Sequence, residues 1–217
     1  MIFSYLGSRK IRLSDMKKLH AVCSDLEGVW VPEVWINVAE RTGIPELRLT
    51  TRDIKDYDEL MRHRLKILRE RNLTLLDIQR VIATIKPIHG ALEMINWLKR
   101  VTRFIVVSDT FVEFADPLME QLDRPTLFCH SLEVNGNGII TGYNLRQKDA
   151  KRETVKALKS LNYEVFAFGD SYNDINMLLE ADQGVLFRPP QNVVKDYPGF
   201  PVIQDYEQLK CFLEECL

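Results

Sequence analysis

The sequence predicts an α/β fold built on a doubly wound parallel β-sheet, with a small inserted helical cap and a β-hairpin. Three observations support this prediction. Short apolar runs alternate with helical patterns, one segment between strands is too long for a single crossover helix, and an asparagine- and glycine-rich turn separates two β-like arms. A chain of 217 residues is long enough for one substantial core and a small satellite.

The predicted strands are short runs rich in β-branched and aromatic residues. In chain order they are LHAVCS, FIVVS, TLFCH, VFAFG, GVLF and PVI. Because these runs are apolar throughout rather than alternating, the sheet should be buried on both faces, as parallel sheets are. The stretch SLEVNGNGIITGY has two β-like arms around an Asn-Gly-Asn-Gly turn, which predicts the hairpin.

The long segment between the first two strands predicts the cap. It contains helical patterns at about residues 32–42, 57–71, 75–85 and 91–100. The last pattern follows Pro87 and Gly90 and can serve as the crossover helix, so the first three are surplus. We therefore expect a cap over residues 32–87 and a core made of residues 16–31 and 88–217. Residues 1–15 are expected to be a leader outside the fold.

The bulk composition is that of an ordinary globular protein. Hydrophobic residues make up 46% and charged residues 28%, and a net charge of -2 gives no reason to expect nucleic acid or an anionic membrane as a partner. No apolar run approaches the roughly 18 residues that span a bilayer, and a signal peptide is not evident, so we expect a cytoplasmic protein. The four cysteines lack metal-type spacing and are interpreted as reduced thiols.

Acids and a hydroxyl follow three of the predicted strands. Because ligands of parallel sheets bind at the carboxyl ends of the strands, these side chains should share one site. Carboxylates at such an edge repel one another unless a hard cation is present, and Mg²⁺ prefers carboxylates, waters and a phosphate oxygen. The residues are Asp25 and Glu27 after the first strand, Ser108 and Asp109 after the second, and Asp170, Asn173 and Asp174 after VFAFG.

This pattern predicts phosphoryl transfer. The chain has no Gly-x4-Gly-Lys-Ser/Thr loop to hold a nucleotide, so Ser108, backbone N–H groups and a lysine would have to hold the phosphate. Lys148 and Lys151 lie just before or at the start of the helix that precedes VFAFG. From position alone, either lysine could reach the edge of the sheet.

Four segments together resemble a known family. DLEGV, the strand-terminal Ser108, Lys151 in DAKRE, and GDSYND resemble, in order, the four motifs of the haloacid dehalogenase superfamily, which implies a Rossmann-like core. After the leader, the chain resembles a phosphoserine phosphatase of the kind that is also a phosphoserine:homoserine phosphotransferase. The stretches that carry this second resemblance are DLEGVWVPE, TTRDI, IATIKP, SDTF, LRQKD and GDSYND.

The resemblance implies a chemical role for each matching position. Asp25 would be the nucleophile that forms an aspartyl phosphate, and Glu27 the general acid and then the general base. Mg²⁺ would bind the Asp25 side chain, the Glu27 backbone carbonyl and Asp170, with Asp174 supporting the site. Asp174 could also serve as a cap for the helix INMLLEA.

The resemblance also implies how substrates are held. Ser108, the Asp109 backbone and Lys151, in preference to Lys148, would hold the phosphoryl group, and Asn173 would lie along the substrate. The implied substrates are O-phospho-L-serine and, as an acceptor, L-homoserine, in amino-acid biosynthesis. A homodimer is implied as well.

For the amino-acid part of the substrate, the resemblance nominates Glu33 for the ammonium and Arg64 for the carboxylate. Periodicity supports Arg64 independently, because it falls within the apolar stripe of its helix, whereas Arg62, Lys66 and Arg69 point away and form a solvated face. A buried guanidinium needs an anion, although a structural acid inside the cap could supply it. An acid such as Glu33 is also favoured at any helix N-terminus.

Two residues depart from the usual pattern of the family. Most superfamily phosphatases have Asp where Glu27 stands, and ordinary phosphoserine phosphatases tend to have Gly where Asp109 stands. Two alternative functions are a phosphatase for another small phosphate ester and a receiver-like signalling module that accepts phosphate on Asp25. His63, His89 and His130 are interpreted as structural or solvated residues.

Overall fold

The computed structural model describes residues 19–50, 53, 54 and 56–217. The predicted leader, residues 1–15, lies outside the described residues, as do residues 16–18 at the predicted start of the core. Thr51 and Arg52 of the TTRDI stretch lie outside them too. The described fold therefore begins with the first predicted strand, LHAVCS.

The described residues form one seven-stranded sheet. Its strands are β1 Leu19–Ser24, β2 Arg103–Phe111, β3 Thr126–Val134, β4 Ile140–Asn144, β5 Tyr163–Gly169, β6 Gln183–Phe187 and β7 Val202–Ile203. Their order across the sheet is β4-β3-β2-β1-β5-β6-β7, and every neighbouring pair is parallel except β3 and β4. The predicted parallel sheet with an added hairpin is confirmed.

Helices cover both faces of this sheet. They are α1 Val34–Thr42, α2 Tyr57–Glu70, α3 Leu75–Ile82, α4 Ala91–Val101, α5 Val112–Gln121, α6 Ala150–Ser160, α7 Ile175–Glu180, α8 Gln191–Asp196 and α9 Tyr206–Cys216. In the part of the chain that the structure describes, none of them combines the length and apolar character needed to cross a bilayer. The cytoplasmic location and the homodimer stay predictions.

Neighbouring residues within a strand point to opposite faces of the sheet, and both faces are buried. Val22 and Phe168 belong to the apolar cluster that includes side chains of α4, α5 and α9. Cys23 and Val107 belong to a second cluster, with side chains of α6, α7 and α8. This two-sided burial explains why the strand sequences are apolar throughout.

The predicted cap helices are present as α1, α2 and α3 between β1 and α4. Their buried side chains, including Val38, Met61 and Ile78, lie in the same apolar cluster as Phe114 of α5. The inserted helices therefore share a core with one face of the sheet. The division of the chain at residues 32 and 87 stays a prediction.

The hairpin of β3 and β4 reaches the inserted helices. The Asn135 side-chain oxygen accepts hydrogen bonds from the backbone N–H groups of Asn137 and Ile139, each at 3.0 Å, which closes the turn. The carbonyl of Gly138 at the tip then accepts a hydrogen bond of 2.8 Å from the N–H of Leu75, at the start of α3. The hairpin tip is thus held against α3.

The second strand differs from the prediction at its end. We expected it to finish at Ser108, but β2 continues to Phe111. Its pairing with β3 shifts register between Val107 and Phe111, so Ser108 and Asp109 lie in an irregular stretch of the strand. Such irregularities redirect side chains, and they occur often beside active sites.

Trp30 anchors the loop that follows β1. Its fully buried indole stacks on Tyr206 of α9 at 5.3 Å between ring centroids, and its Nε1–H donates a 2.7 Å hydrogen bond to the Ser24 hydroxyl. The backbone N–H of Trp30 also donates to the carbonyl of Leu26 at 2.9 Å. The C-terminal helix therefore helps to fix the loop that carries Asp25 and Glu27.

We expect Trp30→Ala to lower the free energy of unfolding by about 3 to 5 kcal/mol, because it removes a large buried ring and leaves a cavity. Urea denaturation followed by circular dichroism would measure the change. Leu161→Ala is the control, since Leu161 is 68% exposed and its truncation should change stability by less than about 0.5 kcal/mol. Equal effects of the two substitutions would contradict this account of Trp30.

Candidate active site

A cleft of about 840 Å³ lies at the carboxyl ends of the strands. It brings together most of the residues nominated from the sequence, even though they come from both the sheet and the inserted helices. Asp174 is fully buried next to it. The nominated residues that line the cleft are Asp25, Glu27, Glu33, Arg64, Ser108, Asp109, Lys151, Asp170 and Asn173.

A close approach of two loops builds the acidic end of the cleft. Gly28 has a φ of +76°, and a Cβ atom at this position would lie 2.6 Å from an Asp170 carboxylate oxygen. Any other residue here would therefore be strained and would also collide with Asp170. Gly28 is what allows the loop after β1 to pack against the loop after β5.

Three carboxylates meet where these loops touch. One oxygen from each of Asp25, Asp170 and Asp174 lies within 4.8 Å of the others, and all three residues are buried. Asp174 already uses both of its oxygens, because Oδ1 accepts from Lys151 at 2.7 Å and Oδ2 accepts from the N–H groups of Asp170 and Ser171 at 3.0 Å each. These bonds match the supporting role expected of Asp174 better than direct coordination.

The cluster suits a divalent cation. Its three carboxylates face one ammonium, that of Lys151, which leaves two negative charges uncompensated when all are ionised. Burial, together with the neighbouring Asp174 and Asp170, raises the pKa of Asp25 well above its ordinary value even though Lys151 opposes the shift. A doubly charged, oxygen-preferring ion would relieve that repulsion.

Lys151, and not Lys148, is the lysine at the centre of the site. Only 3% of the Lys151 side chain is exposed, and its Nζ lies 2.9 Å from Asp25 Oδ1 and 2.7 Å from Asp174 Oδ1. Burial acts to lower the pKa of Lys151, but Asp174, Asp25 and Asp109 outweigh it and raise the pKa well above its ordinary value. Lys148 lies exposed on the cleft wall.

The side chain of Glu27 reaches from the loop after β1 to the start of an inserted helix. Its Oε2 accepts a 2.8 Å hydrogen bond from the N–H of Val34, the first residue of α1. Burial, followed by the negative charge of nearby Glu33, raises the pKa of Glu27 to about 8. Glu33 itself makes no capping hydrogen bond with its side chain, although it stands at the N-cap position.

Arg64 is a cation on the inserted helix α2 and lines the same cleft as the acidic cluster. Its side chain is buried as predicted, and its guanidinium sits 4.4 Å from the ring centre of Trp35 and donates to the Leu49 carbonyl at 2.8 Å. Among the described residues, no carboxylate lies within ion-pair distance of Arg64, and its buried Nε–H has no hydrogen-bond partner. A structural acid inside the cap, the alternative considered above, is therefore not found in that part of the chain.

The side-chain surroundings of Asp109 were not anticipated. Asn173 Nδ2 donates to Asp109 Oδ2 at 3.0 Å, His130 Nε2 lies 3.6 Å from Oδ1, and the Tyr57 hydroxyl donates to the Asp109 carbonyl at 3.0 Å. His130 and Tyr57 are far away in sequence, and nothing in their local patterns distinguishes them from core residues. Both contact Asp109 in the irregular stretch of β2.

The fold and the acidic cluster define a class of protein. Residues 33–179 match the family model of the haloacid dehalogenase-like hydrolases. The chain belongs to this hydrolase family, as its sequence motifs predicted.

Two curated relatives narrow the comparison. Over 192 residues, the chain is 55% identical to the phosphoserine phosphatase ThrH of Pseudomonas aeruginosa, covering 88% of this chain and 94% of that one. It is 54% identical over 188 residues to a phosphoserine phosphatase of Pseudomonas syringae pv. tomato, covering 87% and 79% respectively. A solved substrate-bound phosphoserine phosphatase complex shares the fold, with a TM-score of 0.73 at 23% identity over 92% of this chain and 99% of that one.

The raised pKa of Glu27 predicts a pH-dependent stability in the absence of metal. Because its pKa of about 8 in the folded state exceeds its ordinary value of 4.5, the folded protein binds more protons between these values. The free energy of unfolding should therefore fall as pH rises from about 5 to about 8, on the order of 2 kcal/mol for this partly exposed group.

Urea denaturation at several pH values, with a chelator present, would measure this dependence. Glu27→Gln is the matched variant, because it keeps the size of the side chain and removes the titrating group. Its stability should change less across the same range, while the contribution of Asp25 remains in both proteins. Identical slopes for the wild type and Glu27→Gln would show that Glu27 ionises normally.

Proposed function

We propose that the protein is a Mg²⁺-dependent phosphoserine phosphatase that acts through an aspartyl phosphate on Asp25. The observation that carries the proposal is a single cleft with two kinds of recognition group: Asp25 and Lys151 beside a carboxylate cluster, and Arg64 and Glu33 on the inserted helices. The names of the two curated relatives support the same substrate.

In the first half of the reaction, an Asp25 oxygen attacks phosphorus and the bond from phosphorus to the serine oxygen breaks. Glu27 donates its proton to that oxygen, and serine leaves. A carboxyl with a pKa of about 8 keeps its proton at neutral pH, so Glu27 suits the role of acid. Lys151 stabilises the charge on Asp25 and on the phosphoryl oxygens.

In the second half, a water oxygen attacks phosphorus and the bond to Asp25 breaks. Glu27, now ionised, takes the proton of the attacking water, and phosphate is released. Asp25, the Glu27 carbonyl and Asp170 would hold Mg²⁺, which would supply positive charge against the carboxylates and the phosphoryl group. Asp174 would support this site through its hydrogen bonds to Lys151 and to the N–H of Asp170.

The remaining nominated residues hold the substrate. The Ser108 hydroxyl, the Asp109 N–H and Lys151 hold the phosphoryl group, and Asn173 lies along the substrate. Arg64 binds the serine carboxylate with its planar guanidinium, and Glu33 binds the ammonium. The Nε–H of Arg64 has no hydrogen-bond partner among the described residues, and the Glu33 carboxylate makes no capping hydrogen bond. Arg64 is therefore a donor for the carboxylate, and Glu33 an acceptor for the ammonium, of a zwitterionic amino acid.

L-Homoserine is proposed as a second acceptor of the phosphoryl group. At about 1 mM an alcohol competes with water at roughly 55 M, a deficit worth about 6 kcal/mol of barrier. Good positioning can contribute about 7 to 11 kcal/mol, so transfer to a bound amino acid is energetically accessible. The same Arg64 and Glu33 would orient serine and homoserine, which differ by one methylene.

The alternative functions have less support. A phosphatase for another small phosphate ester would not need both Arg64 and Glu33 in the cleft. A receiver-like signalling module needs a long-lived phosphoaspartate, whereas Glu27 beside Asp25 would hasten its loss. The assay of serine release described below distinguishes the proposed function from both alternatives.

The proposed reaction predicts serine release from phosphoserine in the presence of Mg²⁺. Serine, free phosphate and homoserine phosphate should be measured with and without homoserine. Asp25→Asn should reduce turnover by at least about 10³-fold, because the nucleophile is lost. Absence of serine release by the wild type would reject the phosphoserine proposal, and release without homoserine phosphate would leave a plain phosphatase.

Arg64→Ala should raise KM for phosphoserine by about 10- to 100-fold, with a smaller effect on kcat, because the lost carboxylate contact is present in both ground and transition states. Arg62→Ala is the matched control, since Arg62 lies exposed on the same helix. Its KM should change less than about twofold. A similar KM for Arg64→Ala and the wild type would place the substrate carboxylate elsewhere.

A further inference from the structure

Asp109 places a further carboxylate in the cleft, beside the groups proposed to hold phosphate. Its side chain is 33% exposed, and Oδ2 lies 3.8 Å from Lys151 Nζ. The same Oδ2 accepts the 3.0 Å hydrogen bond from Asn173, and His130 lies 3.6 Å from Oδ1. The Asp109 carboxylate is thus surrounded by one positive charge and by N–H groups, which come from Lys151, Asn173 and His130.

His130 is fixed with a donor facing Asp109. Its Nδ1 accepts a 3.1 Å hydrogen bond from the N–H of Arg146, so the proton of a neutral ring must be on Nε2, the atom nearest Asp109. Burial acts to raise the pKa of Asp109, but Lys151, His130 and Asn173 outweigh it and hold the pKa well below its ordinary value. The carboxylate is therefore ionised throughout the neutral range.

Asp109 and a phosphate group need the same partners. Lys151 and Asn173 are both proposed to contact the phosphoryl-bearing substrate, and both contact the Asp109 carboxylate. The residue also directly follows Ser108, which is proposed to hold the phosphoryl group. A phosphate dianion entering this position must compete with Asp109 for these donors and must also approach a fixed negative charge.

We propose that Asp109 is a built-in competing anion that weakens the binding of inorganic phosphate and so limits inhibition by the product. This inference rests on the proposed function of the cleft as a phosphatase site. It gives a role to the carboxylate at a position where the sequence resemblance leads us to expect glycine. The backbone N–H of the same residue can still hold the phosphoryl group.

The competition lowers the affinity for phosphate and for a phosphate ester by a similar factor. Phosphoserine, however, also carries an ammonium and a carboxylate, whose contacts with Glu33 and Arg64 offset the loss. Free phosphate has no such groups, so its binding stays weak. The enzyme can then retain its substrate and still release phosphate promptly.

The test measures the binding of inorganic phosphate directly, by isothermal titration calorimetry with Mg²⁺ present. Asp109→Asn keeps the shape of the side chain and removes its charge, and Asp109→Ser removes the carboxylate altogether. Each variant should bind phosphate about tenfold more tightly than the wild type, since one negative charge near a dianion is lost. Thermal unfolding of each variant would show whether it is folded, and having two variants guards against the failure of one.

Asp196→Asn is the charge-matched control. Asp196 lines the same cleft and accepts a 2.6 Å hydrogen bond from the Tyr172 hydroxyl, and it contacts neither Lys151 nor Asn173 within the part of the chain that the structure describes. Its phosphate affinity should stay within about threefold of the wild type. An equal gain in this variant would overturn the proposal, because the effect would then reflect the overall charge of the cleft.

Unchanged or weaker phosphate binding in both Asp109 variants would also overturn the inference, as would a lack of phosphate binding by every protein tested. The substrate proposal is judged separately, from serine release by the wild type. If the Asp109 variants bind phosphate more tightly but the wild type does not act on phosphoserine, the substrate proposal is rejected and the role of Asp109 is kept. If the wild type releases serine but the Asp109 variants bind phosphate no more tightly than it does, the role of Asp109 is rejected and the substrate proposal is kept.

Discussion

The buried ammonium of Lys151 is the contact on which the site depends. It holds Asp25 at 2.9 Å and Asp174 at 2.7 Å in a region where uncompensated carboxylates would be strongly unfavourable. Asp174 in turn accepts from the N–H groups that follow β5, so the lysine fixes the loop as well as the charge. One helix, α6, thereby connects the ends of β1 and β5.

Backbone geometry is as important as charge in bringing these loops together. Gly28 permits the close passage of the Asp170 carboxylate, and Gly169 leaves space for the Asp174 side chain, which any Cβ atom would overlap. Trp30 anchors the first loop by stacking on Tyr206 of α9. The acidic cluster therefore depends on three segments that are distant in sequence and are brought together by the fold: the loop after β1, the loop after β5 and helix α9.

Much of the fold could be predicted from the sequence, because uniform apolar strands, helical periodicity and an Asn-Gly hairpin are local signals. The acids at the strand ends followed from the general position of ligand sites in parallel sheets. The surroundings of Asp109 could not be predicted in the same way. They depend on a register shift between β2 and β3 and on the placement of His130 and Tyr57, and no local pattern encodes either. Similarly, spacing alone left Lys148 and Lys151 open. The family resemblance favoured Lys151, and the structure buries that lysine against Asp25 and Asp174.

The apolar cluster shared by the inserted helices and the sheet limits how the molecule can admit its substrate. Swinging α1, α2 and α3 outward as one rigid body would separate Trp35 from Phe114, whose ring centroids lie 5.5 Å apart, and would expose buried apolar side chains to water. At about 25 cal/mol per Å² of apolar area, an opening of even a few hundred Å² would be rare at equilibrium. Ligands should instead enter and leave through small displacements of residues at the mouth of the cleft, which are faster than a hinge motion of whole helices.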